Sequence, residues 1–333
     1  MRLLVWLTHR EVACFDLTRE QARKLADRLP GVDVRVVRSE AAFLDALPRA
    51  DAAIVWRFDD AWLAHAPRLR WIGTPAASRE WVEVAPRDGL RVVHGTFHGE
   101  IIAETVVGML LSQARGLREA DLLRTVDPWP RRAVAARART LRGTRAVVLG
   151  FGHIGRWIAR RLAPFGVRIT GIVRRIDRPP EFSRDAHRIA GVEELDATLA
   201  GADWLILALP ATRETDAIID ARRLALLPAR ATVVNVGRGN AIDEVALADA
   251  LERGTLAAAW LDVFREEPLA LDSPLRHARN AFLMPHASAT APDYLDLFIE
   301  EIARDPFFRD AARDDPYESS AHSAATDDAP PRP

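Results

Sequence analysis

The chain has 333 residues, of which 49% are hydrophobic, and its 46 basic and 47 acidic residues give a formal net charge of −1. This length predicts about two domains with sizeable cores, and the near-neutral charge argues against binding of nucleic acid or an anionic membrane. Cys14 is the only cysteine, which excludes an intrachain disulfide and a thiolate metal cluster, and we predict no metal site. The apolar runs fall far short of the ~18 residues of a membrane helix, and residues 1–6 are typical of a first strand rather than a signal peptide. We therefore expect a cytoplasmic protein.

Residues 1–95 alternate short apolar runs with helical patterns. We predict strands over 3–7, 33–37, 52–56 and 69–72, and a helix that begins near Thr18. Strands that alternate with helices are typical of a parallel sheet. Farther along, apolar residues recur at helical spacing over 99–115 and predict a long helix.

The arginine-rich segment 121–142 contains Asp127-Pro128-Trp129-Pro130 and predicts a loop that connects two larger units. A second β/α series follows, with strands predicted over 145–149, 167–173, 204–209, 232–236, 257–261 and 281–284. A final helix is predicted over about 293–304. We predict that residues 313–333 form a disordered tail, because they are poor in hydrophobic residues and contain several prolines.

A glycine-rich motif follows the first strand of this second series. Gly150, Gly152 and Gly155 stand in the spacing G-x-G-x-x-G between that strand and an apolar helical pattern. In this arrangement Gly150 permits a tight turn, Gly152 lets the backbone approach a pyrophosphate, and Gly155 lets the helix pack closely on the strand. The helix N-terminus would then offer its N–H groups to the phosphates. The motif predicts a dinucleotide-binding site.

The residues after the next strand predict which dinucleotide is bound. An acid about 20 residues beyond the glycines usually binds the free ribose 2′-hydroxyl. This chain has Arg174 and Arg175 there, with Arg178 close by. Because a guanidinium suits a phosphate dianion, we favour NADP(H), with NAD(H) as the alternative. In a chain so rich in arginine, these residues could also face only solvent.

Three later segments each place polar residues just after a predicted strand. They are Val234-Asn235-Val236-Gly237-Arg238-Gly239, Leu261-Asp262-Val263-Phe264-Arg265-Glu266-Glu267-Pro268 and Met284-Pro285-His286-Ala287-Ser288-Ala289. The carboxyl ends of parallel strands are where ligands bind in open α/β sheets. An arginine there can bind a carboxylate with two hydrogen bonds, and a glutamate beside a histidine favours the protonated imidazole, a proton donor near neutral pH.

Together these segments resemble the D-isomer-specific 2-hydroxyacid dehydrogenase family, over about residues 52–286 and in the family's order of glycine motif, Arg, Glu and His. The resemblance implies that Arg238 binds the substrate carboxylate and polarises its carbonyl. It also implies that His286 is the general acid/base and that Glu267 is the acid paired with it, with Glu266 as the competing candidate.

The resemblance further implies the residues that line the cofactor site. Besides the three glycines and the two arginines, they are His153, Ile154, Leu209, Pro210, Val236, Gly237, Asp262 and Ala289. Asp262 could instead only orient its turn. The loop that begins at Gly73 and Thr74 corresponds to the family's substrate-binding loop, but it reads Gly-Thr-Pro-Ala-Ala-Ser where many members have Gly-Ala-Gly-Val-Asp. The arginines, with Trp56 and Trp129, favour the glyoxylate/hydroxypyruvate reductase-like branch.

The implied fold is α/β, with two Rossmann-like, doubly wound parallel-sheet domains and an active-site cleft between them. We expect a substrate-binding domain of residues 1–95 plus 287–312 and a nucleotide-binding domain of residues 96–286. The implied reaction is NAD(P)H-dependent reduction of a small 2-keto acid to the D-2-hydroxy acid. The family further implies a homodimer, with the helix over 100–115 as the interface candidate.

Other members of the superfamily remain as alternatives. They are phosphoglycerate, phosphite and formate dehydrogenases. We expect no regulatory domain after His286, which counts against the longer phosphoglycerate enzymes and leaves the short ones open. A formate dehydrogenase would not carry a glutamate at the position of Glu267. A non-catalytic, corepressor-like protein that binds dinucleotide as a sensor is the alternative from another functional class.

Overall fold

The computed structural model of the protein describes residues 1–176, 187–278 and 280–313, with side chains to residue 309. Arg178 and nearly all of the predicted tail, residues 314–333, lie outside the described residues. The chain forms two compact units. Of the described residues, unit 1 comprises Met1–Phe97 together with those from Ala291 onward, and unit 2 comprises those within His98–Thr290.

Unit 1 contains a five-stranded sheet in the order β2-β1-β3-β4-β5, in which every neighbouring pair is parallel. Its strands are β1 Arg2–Trp6, β2 Asp33–Val36, β3 Ala52–Val55, β4 Trp71–Thr74 and β5 Arg91–His94. Its helices are α1 Arg19–Arg28, α2 Glu40–Ala46, α10 Tyr294–Ile302 and α11 Pro306–Arg313. The strands β3 and β4 are buried along their whole length, which is typical of parallel strands covered on both faces.

Unit 2 contains a seven-stranded parallel sheet in the order β12-β11-β10-β9-β6-β7-β8. Its strands are β6 Arg145–Leu149, β7 Arg168–Val173, β8 Arg188–Gly191, β9 Trp204–Leu207, β10 Thr232–Asn235, β11 Ala258–Leu261 and β12 Ala281–Leu283. Its helices are α3 His98–Arg115, α4 Leu117–Leu123, α5 Arg131–Arg137, α6 His153–Leu162, α7 Leu195–Leu199, α8 Ala221–Leu224 and α9 Glu244–Glu252. Counted from β6, the strand order is that of the dinucleotide-binding sheet, whose direction of winding reverses between its first and fourth strands. In unit 2 this reversal lies between β6 and β9.

Alternate residues of β6 supply two cores on opposite faces of the sheet. Val147 and Leu149 pack into one buried cluster, while Ala146 and Val148 pack into another that includes residues of α3 and α6. Both faces are therefore covered, and the predicted α/β fold class with two doubly wound parallel sheets is confirmed.

The structure differs from the elements predicted from the sequence in two edge strands and in the segment 121–142, among other places. The strands β5 and β8 were not predicted; both are short edge strands with partly exposed residues, so their apolar pattern is weak. The segment 121–142 lies within unit 2 rather than between units, and it is partly helical. Arginine and alanine favour helix in α5, which the prediction of a loop overlooked. In the parts of the chain that the structure describes, no helix is both long and apolar enough to span a bilayer.

Candidate active site

The glycine motif forms the turn between β6 and α6 at the reversal point of the unit 2 sheet. Gly150 has a φ of 94°, and a Cβ there would lie 2.6 Å from the carbonyl oxygen of Ala208, which follows β9. A Cβ on Gly155 would lie 2.3 Å from the carbonyl oxygen of Gly150, whereas one on Gly152 would meet nothing within 4 Å. Two glycines thus permit the turn and its packing, and the third leaves open space at the start of a helix. This cradle fits a dinucleotide pyrophosphate.

The other residues implied for the cofactor site lie around the same sheet edge. His153 is exposed and Ile154 is half-buried in the first turn of α6. Leu209 and Pro210 follow β9, and Gly237 lies so close that its Cβ would be 2.5 Å from the Leu209 amide nitrogen. Two more residues implied for this site are Val236 and Ala289. Val236 is buried in the cluster that includes residues of α3 and α6, and the half-buried Ala289 packs against this cluster.

Arg174 and Arg175 are exposed directly after β7. Arg174 lies near Glu214, which lies in the loop after β9. The pKa of the Glu214 carboxyl is lowered by a hydrogen bond with its own backbone, by the Thr212 hydroxyl and by the charge of Arg174. The guanidinium of Arg174 therefore has an acidic neighbour at this edge of the sheet.

Arg238 lies in the loop after β10, and Asn235 shapes this loop. The Asn235 side chain is buried; its Nδ2 donates to the Arg238 carbonyl at 3.0 Å, and its Oδ1 accepts from the Gly237 N–H at 3.1 Å. The half-buried Arg238 donates from one guanidinium nitrogen to the Gly237 carbonyl at 2.8 Å. The loop thus fixes the backbone on both sides of the arginine.

His286 and Glu267 form a hydrogen-bonded pair. They follow the neighbouring strands β12 and β11, and His286 Nδ1 lies 2.7 Å from Glu267 Oε2. The other oxygen of Glu267 accepts from the Phe264 N–H at 2.9 Å. The histidine side chain is 48% exposed and the glutamate side chain 35%. Because Nδ1 is engaged by the carboxylate, Nε2 is the ring atom available for proton transfer.

Asp262 organises the turn that carries His286. Its fully buried carboxylate accepts from the Ala287 N–H at 2.7 Å and from the Ser288 N–H at 3.0 and 3.1 Å, while its carbonyl accepts from the His286 N–H at 2.8 Å. His286 has a φ of 51°, a left-handed conformation that a non-glycine residue keeps only where its surroundings determine it. Asp262 therefore orients this turn; its proximity to a cofactor stays a prediction.

The predicted substrate loop begins within β4 of unit 1, because Gly73 and Thr74 are the last two residues of that strand. Gly73 lies under the ring of Trp71, whose atoms approach to 2.1 Å of the position of a Cβ. The buried Thr74 hydroxyl donates to the Trp56 carbonyl at 3.1 Å and accepts from the Ala76 N–H at 3.2 Å. The Thr74 side chain thus fixes the loop, and any substrate contact would come from the remaining backbone of the loop.

Sequence reasoning missed two residues that shape this site. Asn235 lies within a segment that was singled out, but no role was assigned to it. Glu244 accepts a hydrogen bond from the Arg265 N–H at 2.7 Å, although 21 residues separate the two. An acid in the first turn of a helix is common and gives no signal for such a contact. Within the described residues, no group of three or more His, Cys, Asp or Glu side chains could hold a metal ion.

Comparison with known proteins identifies relatives of this chain. Residues 107–288 match the family model of the NAD-binding domain of D-isomer specific 2-hydroxyacid dehydrogenases. The chain is 33% identical to the glyoxylate reductase of Thermococcus kodakarensis over 256 residues, which cover 74% of this chain and 75% of that enzyme. It is 34% identical to the D-3-phosphoglycerate dehydrogenase of Mycobacterium leprae over 261 residues, 76% of this chain but only 48% of that enzyme, so it spans about half the length of this second relative.

A similar solved structure is that of a D-isomer specific 2-hydroxyacid dehydrogenase from Xanthobacter autotrophicus Py2 in complex with NADPH and MES. It has a TM-score of 0.71 and 28% sequence identity, and the match covers 91% of this chain and 93% of that chain.

Proposed function

Because the chain belongs to the D-isomer-specific 2-hydroxyacid dehydrogenase family, we propose that it reduces short 2-keto acids of the glyoxylate or hydroxypyruvate type. It is an NAD(P)-dependent oxidoreductase that acts on CH–OH groups. The product would be the D-2-hydroxy acid, a label without content for glycolate, which is achiral. The observation that carries this proposal is the His286–Glu267 hydrogen bond of 2.7 Å at the carboxyl ends of two neighbouring strands, with Arg238 at the end of the third.

Three side chains have separate roles in the proposed mechanism. The glycine motif would hold the dinucleotide, whose reduced nicotinamide would supply the hydride for the keto carbon. Arg238 binds the substrate carboxylate and polarises the carbonyl, which a planar guanidinium with two parallel donors can do. His286 donates the proton from Nε2 to the keto oxygen. Glu267 accepts from Nδ1, which fixes the ring orientation and favours the protonated imidazole before transfer.

We propose NADPH as the preferred cofactor. The glycines Gly150, Gly152 and Gly155 would hold the pyrophosphate, and Arg174 with Arg175 would bind the 2′-phosphate. Two exposed arginines after β7 support this preference, since charge-assisted hydrogen bonds to a phosphate are stronger than neutral ones. The negative charge of Glu214, which lies near Arg174, opposes part of this preference for NADPH.

Substrate binding by the loop at Gly73 and Thr74 also stays a proposal. Ala76 already gives its N–H to the Thr74 hydroxyl, so fewer backbone donors remain than in a loop without threonine. We propose that the remaining backbone donors bind the substrate carboxylate. Because fewer donors are available, we expect the loop to favour a small acid.

The experiment that tests the function is a steady-state assay with NADPH against glyoxylate, hydroxypyruvate, pyruvate and 3-phosphohydroxypyruvate, together with phosphite oxidation by NADP⁺. We expect the highest kcat/KM with glyoxylate or hydroxypyruvate. Preference for 3-phosphohydroxypyruvate or phosphite would assign the chain to the phosphoglycerate or phosphite alternative. Tight NADPH binding without turnover of any of these compounds would favour the sensor and overturn the proposal.

We further propose a homodimer in the cytoplasm. Much of the expected interface helix α3 is buried within unit 2 itself. Large apolar side chains that follow it are exposed, namely Leu117 (59%), Leu122 (53%), Val126 (77%) and Trp129 (77%). Such a concentration of apolar surface is typical of an interface, and a second copy is the occupant we expect. Light scattering of the Leu122→Glu, Trp129→Glu double variant should then report a monomer, whereas a dimeric mass would place the interface elsewhere.

A further inference from the structure

Glu267, the partner of His286, lies in the turn after β11. Two consecutive backbone N–H groups of this turn each donate a hydrogen bond to a carboxylate. The Phe264 N–H donates to Glu267 Oε1 at 2.9 Å, and the Arg265 N–H donates to Glu244 Oε1 at 2.7 Å. The same turn packs on Gly239, where a Cβ would lie 1.8 Å from the Phe264 carbonyl carbon and 2.2 Å from the Arg265 nitrogen. The backbone from which Glu267 receives its hydrogen bond is therefore fixed on its other side by Glu244.

Glu244 is not needed as the cap of its own helix. It is the first residue of α9, and the preceding residue, Asp243, already caps this helix by accepting from the Ala246 N–H at 3.0 Å. The Glu244 carboxylate reaches instead to the turn after β11. It is half-buried there, and burying an acid costs free energy unless its contacts compensate.

The charges around Glu244 connect it to the catalytic pair. Burial raises the pKa of the Glu244 carboxyl and the nearby charge of Glu267 raises it further, while the amide and the guanidinium of Arg265 oppose this. The Arg265 guanidinium pairs with Asp216 at 3.1 Å, so its positive charge is partly offset. Other charged residues of the adjoining loops are Glu266 in the same turn, Asp243, Arg238, the buried Asp262 and His286. Glu244 thus adds negative charge beside Glu267.

We infer that Glu244 is a positioning residue for the Glu267–His286 pair. Its carboxylate holds the turn at Arg265, so that Phe264 can keep Glu267 in place, and its charge favours the protonated imidazole that gives up the proton. This inference rests on the proposed roles of Glu267 and His286.

The test compares two substitutions that separate the hydrogen bond from the charge. Glu244→Gln keeps an oxygen that can accept from Arg265 but removes the charge, and Glu244→Ala removes both. Asp249→Asn is the matched control, because it removes a carboxylate from the same helix at an exposed i,i+4 pair with Arg253. For each protein, kcat and kcat/KM for keto-acid reduction are measured from acid to alkaline pH, together with the Kd for NADPH.

We expect Glu244→Gln to keep kcat at low pH within about threefold of the parent. Its activity should fall at a lower pH than that of the parent, because the variant lacks the negative charge that favours the protonated histidine. Glu244→Ala should lose about tenfold in kcat as well, since the Arg265 N–H loses its acceptor. The Kd for NADPH and the profile of Asp249→Asn should not change.

A Glu244→Gln profile that coincides with that of the parent or moves no more than that of Asp249→Asn would overturn the inference, and this holds even if Glu244→Ala fails to fold. His286→Ala, assayed in parallel, tests separately the proposed function on which this inference rests. If it remained active, the proposed role of His286 would be wrong, whatever Glu244 does.

Discussion

The loops at the carboxyl ends of the two sheets differ in chemistry, although both sheets are parallel and doubly wound. In unit 1 these loops are filled by their own aromatic side chains. The ring of Tyr294, buried at the start of α10, lies 4.7 Å from those of Phe15 and Phe97, and burial raises the pKa of its hydroxyl. Trp56 Nε1 donates to the Phe15 carbonyl at 3.1 Å.

In unit 2 the same edge carries glycines and charged residues. Gly152 leaves open space, and Arg238, Glu267 and His286 are held by short hydrogen bonds to backbone or to each other. The sheet topology thus supplies an edge where loops meet, whereas the residues of the loops decide which chemistry that edge can perform. Acid–base chemistry is available at the edge of unit 2; unit 1 offers an ordered, largely apolar loop cluster.

The largest effect should come from the acid/base of the unit 2 edge. His286→Ala should lower kcat by about 10²–10⁴, the usual contribution of a positioned proton donor, while the Kd for NADPH changes little. The measurement is steady-state reduction of the best keto acid alongside fluorescence titration with NADPH. His277→Ala is the control, since His277 is an exposed histidine outside this cluster. Activity within a few-fold of the parent would show that His286 is not the proton donor. The difference between the two sheet edges would then not explain where catalysis takes place.

Arg238→Lys tests whether the geometry of the cation matters or only its charge. Lysine keeps the charge but loses the planar fork, so we expect kcat/KM to fall about 10- to 100-fold, the value of one or two charge-assisted hydrogen bonds. Arg253→Lys, at an exposed ion pair at the C-terminal end of α9, should behave like the parent. A loss of only a few-fold would show that another cation binds the substrate carboxylate.

The sequence allows the local features to be predicted better than the distant ones. The glycine turn could be predicted because its three glycines, strand and helix are contiguous, and the parallel sheets because buried strands carry continuous apolar runs. The edge strands β5 and β8 could not, since partial exposure weakens their pattern.

Within the candidate site, the pairing of Glu267 with His286 followed from resemblance rather than from spacing. The contacts of Glu244 with Arg265 and of Asp262 with Ser288 join residues that are distant in sequence. Tertiary packing alone creates these contacts, and each involves an acid whose type and position are ordinary for a turn or a helix start.

A smaller effect concerns cofactor choice at the other end of the unit 2 edge. Arg174→Asp should shift the ratio of kcat/KM for NADPH to that for NADH toward NADH by about tenfold or more, because a carboxylate repels the 2′-phosphate and accepts from a ribose hydroxyl. The effect should weaken with salt, since Arg174 is exposed. The two values are compared on one keto acid at low salt, with Arg253→Asp as the control for the change in charge. An unchanged ratio would mean that Arg174 faces only solvent and Glu214.

The smallest effect should come from unit 1. The substitution tests whether the loop that begins at Gly73 and Thr74 takes part in substrate binding. Thr74→Val removes the hydroxyl that joins the Trp56 carbonyl to the Ala76 N–H, at a cost of about 1–3 kcal/mol in unfolding free energy for buried groups left without partners. A loosened loop should raise KM for the keto acid about threefold and leave the Kd for NADPH unchanged. Thr74→Ser keeps the hydroxyl and should restore both KM and stability. If Thr74→Val is destabilised but keeps the parental KM, the loop is only structural, and the unit 1 edge contributes nothing to substrate binding through Thr74.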